Sequence, residues 1–108
     1  MAYDRDLANR IRELLAGESV VEKAMFGGLA FLLNGNMSVA ASGQGGLLVR
    51  SDPDDQSVLD EPGVSPMEMR GREMKGWLRV TADAVESDAA MARWVRHAVS
   101  YAKTLPPK

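Results

Sequence analysis

The sequence predicts an α+β domain in two layers: an antiparallel β-sheet with helices packed mainly on one face, in the order α-β4-α-β2-α. Three observations carry this. Helical periodicity is strongest at the two ends of the chain, the apolar runs between them are short, and the links between those runs are of hairpin length. Successive strands joined by such short links pair antiparallel, because a parallel neighbour needs a crossover of a dozen or more residues. A sheet built that way buries its apolar side under helices gathered on one face.

Leu7, Ile11, Leu14 and Leu15 recur at helical spacing after an acidic first turn containing Asp4, and Gly17 supplies a stop, which predicts a helix from about Tyr3 to Ala16. Val20 to Phe26 reads as a strand, interrupted by Gly27-Gly28. In Leu29 to Ala40, Asn34-Gly35 stands between two apolar runs. Both central residues of a type I′ turn need positive φ, so this pair predicts a two-residue hairpin. A regular register then sets Leu33 opposite Asn36, Leu32 opposite Met37 and Ala30 opposite Val39. Ser42 to Gly46 turns the chain again, into a strand at Leu47 to Arg50.

Asp52 as N-cap and Pro53 at the first helical position predict a short helix to about Leu59, ended by Pro62-Gly63. Strands follow at Val64 to Met69 and Lys75 to Val80, joined by a turn that includes Gly71. Ser87 caps the last helix, whose buried stripe is Met91, Trp94, Val95, Ala98, Ala102 and Leu105. No repeat or linker divides the chain, so residues 1–108 are read as a single domain.

Composition narrows the chemistry. With 45% hydrophobic and 26% charged residues the chain is globular, and with no cysteine it has neither a disulfide framework, a thiolate nucleophile nor a Cys-based zinc site. The longest apolar run, Leu29 to Leu33, is too short to cross a bilayer and the charged N-terminus lacks a signal core. A cytoplasmic location and no membrane partner are therefore expected. The net charge of −2 gives no global field for polyanions.

The candidates for catalysis each have a plainer reading. His97 is the single histidine and lies roughly 120° from the centre of the last helix's stripe, at about 100° per residue, near a solvent border. A surface or structural role suits it. Gly27-Gly28 precedes a strand, where a phosphate-cradling loop needs a helix N-terminus, so a bulge or bend is expected. The acidic run Asp52, Asp54, Asp55, Asp60 and Glu61 lacks the spacing of a calcium loop. The serines have no nucleophile-elbow context, and any triad would have to use His97. The methionines are read as core filling. The reading is of no catalytic residue, no metal and no cofactor.

Two surfaces stand out. In Met69 to Val80, alternation puts Leu78 and Val80 on one face and Lys75, Trp77 and Arg79 on the other, beside Arg70 and Arg72 at the turn. The set Arg70, Arg72, Lys75, Trp77 and Arg79 is a candidate binding surface, able to stack a base and meet phosphates, or simply a tryptophan covering the sheet beneath snorkelling cations. In the hairpin, Leu32, Met37, Ala30 and Val39 share one face, while Leu29, Phe31 and Leu33 share the other with Ser38 and Ala40. Both faces are apolar, so one needs a cover other than the helices. Leu29, Phe31 and Leu33 are the candidate self-association face, and a homodimer is expected.

The chain resembles the N-terminal domain of the TfoX/Sxy competence regulators. The resemblance runs from Tyr3-Asp4 through Glu22 to Phe31 (with Met25-Phe26-Gly27-Gly28), Asn34-Gly35-Asn36-Met37, Pro66-Met67, Met74-Lys75-Gly76-Trp77 and Leu105 to Lys108. It implies an α+β fold with an antiparallel sheet, of secretion-chaperone-like shape, and no established catalytic residues. Full-length competence regulators carry a second, helical domain that this sequence does not include. Activation of competence genes together with a cyclic-AMP receptor protein is therefore not carried over. The expected function is a non-enzymatic binding or regulatory module acting through protein contacts. Its rivals are a nucleic-acid-associated regulator using the basic strand and a small enzyme whose site draws on separate segments.

Overall fold

In a computed structural model, described for residues 5–25, 28–43, 45–54, 57–69 and 71–107, the chain forms one six-stranded antiparallel sheet with two helices on one face. The elements run α1 (Arg5–Leu14), β1 (Val20–Met25), β2 (Gly28–Leu33), β3 (Asn36–Ala41), β4 (Leu47–Arg50), β5 (Val64–Met69), β6 (Arg72–Val80) and α2 (Asp88–Ala102). Short 3₁₀ turns lie at Ser57–Asp60 and Asp83–Val85. The strands lie in the order β1-β2-β3-β4-β6-β5. After β4 the chain therefore crosses to the far edge for β5 and returns as β6, which lies between β4 and β5. Tyr3, Asp4, Phe26, Gly27, Asp55 and Arg70 lie outside the described residues.

The hairpin forms as its turn chemistry dictates. Asn34 has φ of 54° and Gly35 of 83°, and Leu33 pairs with Asn36 and Leu32 with Met37. Beyond that the expected register fails. A β-bulge shifts the ladder between Phe31 and Leu32, so Phe31 meets Val39 and Ala30 meets Ala40. Ser38 is the extra residue, fully buried, with its hydroxyl donating to the Phe31 carbonyl at 2.9 Å. Apolar periodicity does not reveal a bulge, because the side chains on both sides of it are apolar.

The bulge decides which face each side chain joins. Leu29, Phe31, Leu33, Val39, Ala41, Leu47, Val49, Leu78 and Val80 join the buried stripe of both helices in one core. Removing Phe31, Val39 and Val49 from water stabilises the fold by about 1.5–3 kcal/mol each. Leu29, Phe31 and Leu33 are 7%, 0% and 4% exposed beneath the helices, so they are not the self-association face expected from the sequence.

Three further expectations are corrected. Among the described residues of the segment, the helix from Asp52 does not form. The Asp52 carboxylate accepts from the Asp54 amide at 2.9 Å, a local turn that competes with helix, and Val58 is the one buried side chain of the 3₁₀ turn Ser57–Asp60. With so little apolar surface, nothing anchors a longer helix to the sheet. Strand β6 also begins earlier than expected, at Arg72, which pairs with Met69 across a tight turn at Gly71. The last helix starts as read, with Ser87 in extended backbone and its hydroxyl accepting from the Ala90 amide at 3.1 Å, but it ends at Ala102, so Leu105 is not part of its stripe and is only partly buried. Val99 joins its buried stripe.

Candidate binding surface

The second face of the sheet has its own small cluster, Ala30, Ala40, Leu48 and Met67, with Leu32, Met37 and Trp77 packed half-buried around it. No residue of either helix belongs to it. Directly paired residues share a face, so Val21 joins through Leu32 and Lys23 through Ala30. Val21 is 66% exposed, and Leu14 at 41% is the other large hydrophobic in the open among the described residues. Arg79 joins the same face opposite Leu48, and Arg50 opposite Trp77.

Trp77 and Arg79 thus share this face, as the alternation predicts, while Leu78 and Val80 enter the core. The alternation does not run back through Gly76. That residue has φ of 85°, and β5–β6 pairing jumps from Pro66–Leu78 to Met67–Met74. A Cβ at Gly76 would lie 3.1 Å from the Ser51 carbonyl, so glycine suits both the dihedral and the close approach. Of Lys75 only the backbone is described. Arg72 is exposed at the far end of the β5–β6 hairpin, and Arg70 is not described.

Arg50 was not singled out by the sequence. Its guanidinium carbon lies 4.7 Å from the Trp77 ring centre and 5.6 Å from that of Tyr101 on α2. Its Nε is buried and has no hydrogen-bond partner. Two aromatic faces stabilise the cation by about 0.5–2 kcal/mol. The signal in sequence is slight, a lone arginine at the end of an apolar strand. Arg79 donates to the Ser42 hydroxyl at 3.3 Å.

A second polar meeting point lies within the covered layer. The Ser51 hydroxyl and His97 Nε2 are 2.8 Å apart, with the His97 ring edge-on to Trp94 at 5.5 Å. His97 is partly buried, as its place at the border of the stripe implies. Ser51 is 1% exposed, and its amide donates to the Gly76 carbonyl, so the pair ties β4 to α2 and to β6. Among the described residues, no three histidines and carboxylates converge as a metal site.

Two carboxylates outside this face are each held by an arginine with two bonds. Arg12 of α1 donates from Nε and Nη2 to both oxygens of Glu22 at 2.7 Å, and these bonds hold the Glu22 carboxyl below the ordinary glutamate range. Arg93 of α2 grips Glu61 with two prongs, which lowers the Glu61 carboxyl and raises the Arg93 guanidinium. Two grooves flank Leu14 between the helices. One of about 210 Å³ is lined by Leu14, Leu15, Glu18, Val95, Arg96, Val99, Ser100 and Lys103, with Glu18 and Lys103 paired at 3.0 Å. The other, of about 190 Å³, is lined by Arg10, Glu13, Leu14, Asp88 and Met91. His97 lines neither. No helix of the described residues is long and apolar enough to cross a membrane.

The family model of the TfoX N-terminal domain matches the chain over residues 13–102. The match covers the sheet, the last two residues of α1 and all of α2. A comparison with curated proteins found no match.

Proposed function

The chain belongs to the TfoX N-terminal domain family, and from that premise we propose that it is a non-enzymatic regulatory module working through protein contacts on the open face of its sheet. One observation carries the reading. Val21, Leu32 and Met37 stand side by side on adjacent strands with Trp77 nearby, and no helix residue among those described packs in their cluster. Exposed apolar surface of that kind marks contact sites. Reading Ser51–His97 as structural supports the non-enzymatic part, because Ser51 is buried and does not present its hydroxyl to a substrate.

A nucleic-acid contact is the second reading, favoured by Trp77 and Arg79 on one face. Self-association is a form of protein contact that would use the same face in place of Leu29, Phe31 and Leu33. The test places a photo-crosslinking side chain at position 21 or 37, with position 13 on α1 as control. Protein adducts in native extract at 21 and 37 but not 13 support the reading, and equal labelling refutes it. Light scattering at micromolar concentration reports self-association. Duplex DNA bound at low salt, with affinity falling steeply as salt rises, would favour the second reading.

A further inference from the structure

We propose that the open face binds an acidic amphipathic helix of a partner protein, its apolar stripe on Val21, Leu32 and Met37 and its carboxylates toward Lys23, Arg50 and Arg79. This rests on the reading of the face as a protein-contact surface and adds the chemistry of what it meets.

Charge segregation is the first argument. The chain carries a net charge of −2, yet the described strand side chains of this face include Lys23, Arg50, Arg72 and Arg79 and no carboxylate. Glu22 and Glu68, the described glutamates of the strands, take the opposite parity, and Glu22 is bound by Arg12 on the helix side. An acidic protein has thus gathered cations on the one face its helices leave open.

Arg50 is the second. It is partly buried, its Nε has no acceptor, and among the described residues its guanidinium lies between Trp77 of the open face and Tyr101 at the end of α2, with no carboxylate paired to it. A cation withdrawn from water gains most from a counter-charge, and an arriving carboxylate supplies one.

Geometry is the third. Val21 pairs with Leu32 and Leu32 with Met37, so the three form a row across β1, β2 and β3. Two strand spacings make that row about 10 Å long. Residues i and i+7 of a helix are also about 10 Å apart, with i+3 or i+4 between them. A second copy of the chain fits poorly, since stacking this face on itself sets cation row on cation row. Phosphates would leave the apolar row unused.

The test uses the full chain and two synthetic peptides of about five turns. Both carry leucines at i, i+3/i+4 and i+7; one has glutamate elsewhere and the other lysine. Fluorescence anisotropy measures binding, with a duplex DNA as third probe. The glutamate peptide is expected to bind at least about tenfold more tightly than the lysine peptide. Lys23→Glu, at an exposed site, should weaken it about fivefold and Arg50→Gln further, while Val21→Asp should abolish it. Equal binding of both peptides, lost in Val21→Asp, overturns the acidic chemistry and leaves the contact surface standing. DNA binding that is steeply salt-dependent and unchanged in Val21→Asp overturns both. No binding of the glutamate peptide at ~1 mM overturns this proposal, and crosslinking at position 21 then judges the contact surface separately.

Discussion

The two faces of the sheet draw on similar side chains and use them differently. On the covered face Phe31, Val39, Val49 and Val80 are fully buried against the stripe of α2. On the open face, Ala30, Ala40 and Leu48 are sheltered by their own strand neighbours, while Leu32, Met37 and Trp77 remain half-buried and Val21 stands out. The covered face has a partner within the chain, and its apolar residues set stability. Over the open face's apolar cluster no helix packs among the described residues, and it is this face that we propose meets other molecules. Hydrophobicity alone does not separate the two; the presence of a helix above does.

That contrast can be broken by substitution. Phe31→Ala should cost about 3–5 kcal/mol, whereas Leu32→Ser on the adjacent position should cost much less, read as urea midpoints at constant m-value. Equal losses would mean that the open face is also core. Gly46→Ala, at φ of 74° with its new Cβ 2.2 Å from the Val80 carbonyl, should cost about 1–3 kcal/mol or more, since backbone has to move at the β4–β6 seam. A thermal melt checks it.

Smaller effects sharpen the comparison through the covering layer. Ser87→Ala removes the cap of α2 and should cost about 1 kcal/mol, while leaving peptide binding by the open face unchanged. Glu61→Gln is smallest, within about 0–1 kcal/mol for so exposed a pair. Its sign follows from the lowered carboxyl. The folded state binds that proton less readily than the unfolded chain, so the pair's contribution is present above about pH 4 and fades as pH falls through the folded value. The variant should therefore differ from the parent near neutrality and converge with it in acid, as measured by urea titration across pH.

Much of the fold was legible because local chemistry and packing agree there. Asn34-Gly35 dictated the turn, Ser87 the cap, and Met91, Trp94, Val95 and Ala98 the stripe. The sequence was misleading where two readings were chemically equivalent. Phe31 and Ala30 are both apolar, so only the bulge at Ser38 shows which faces the helices. Asp52-Pro53 fits a helix start and a turn alike, and lack of buried surface decides for the turn. Of the candidate surface, alternation placed Trp77 and Arg79 correctly. Arg50 and Val21 became visible only once the register joined them to Trp77 and Leu32.

Strand β3 holds one residue more than its pairing with β2 consumes. Excising Ser38 would turn the ladder from Leu33–Asn36 through Leu29–Ala41 into an unbroken series, every remaining side chain keeping its side. This hairpin thus carries slack. It can be shortened by one residue without exchanging its inside for its outside, whereas a regular hairpin of the same length would be turned over by the same loss.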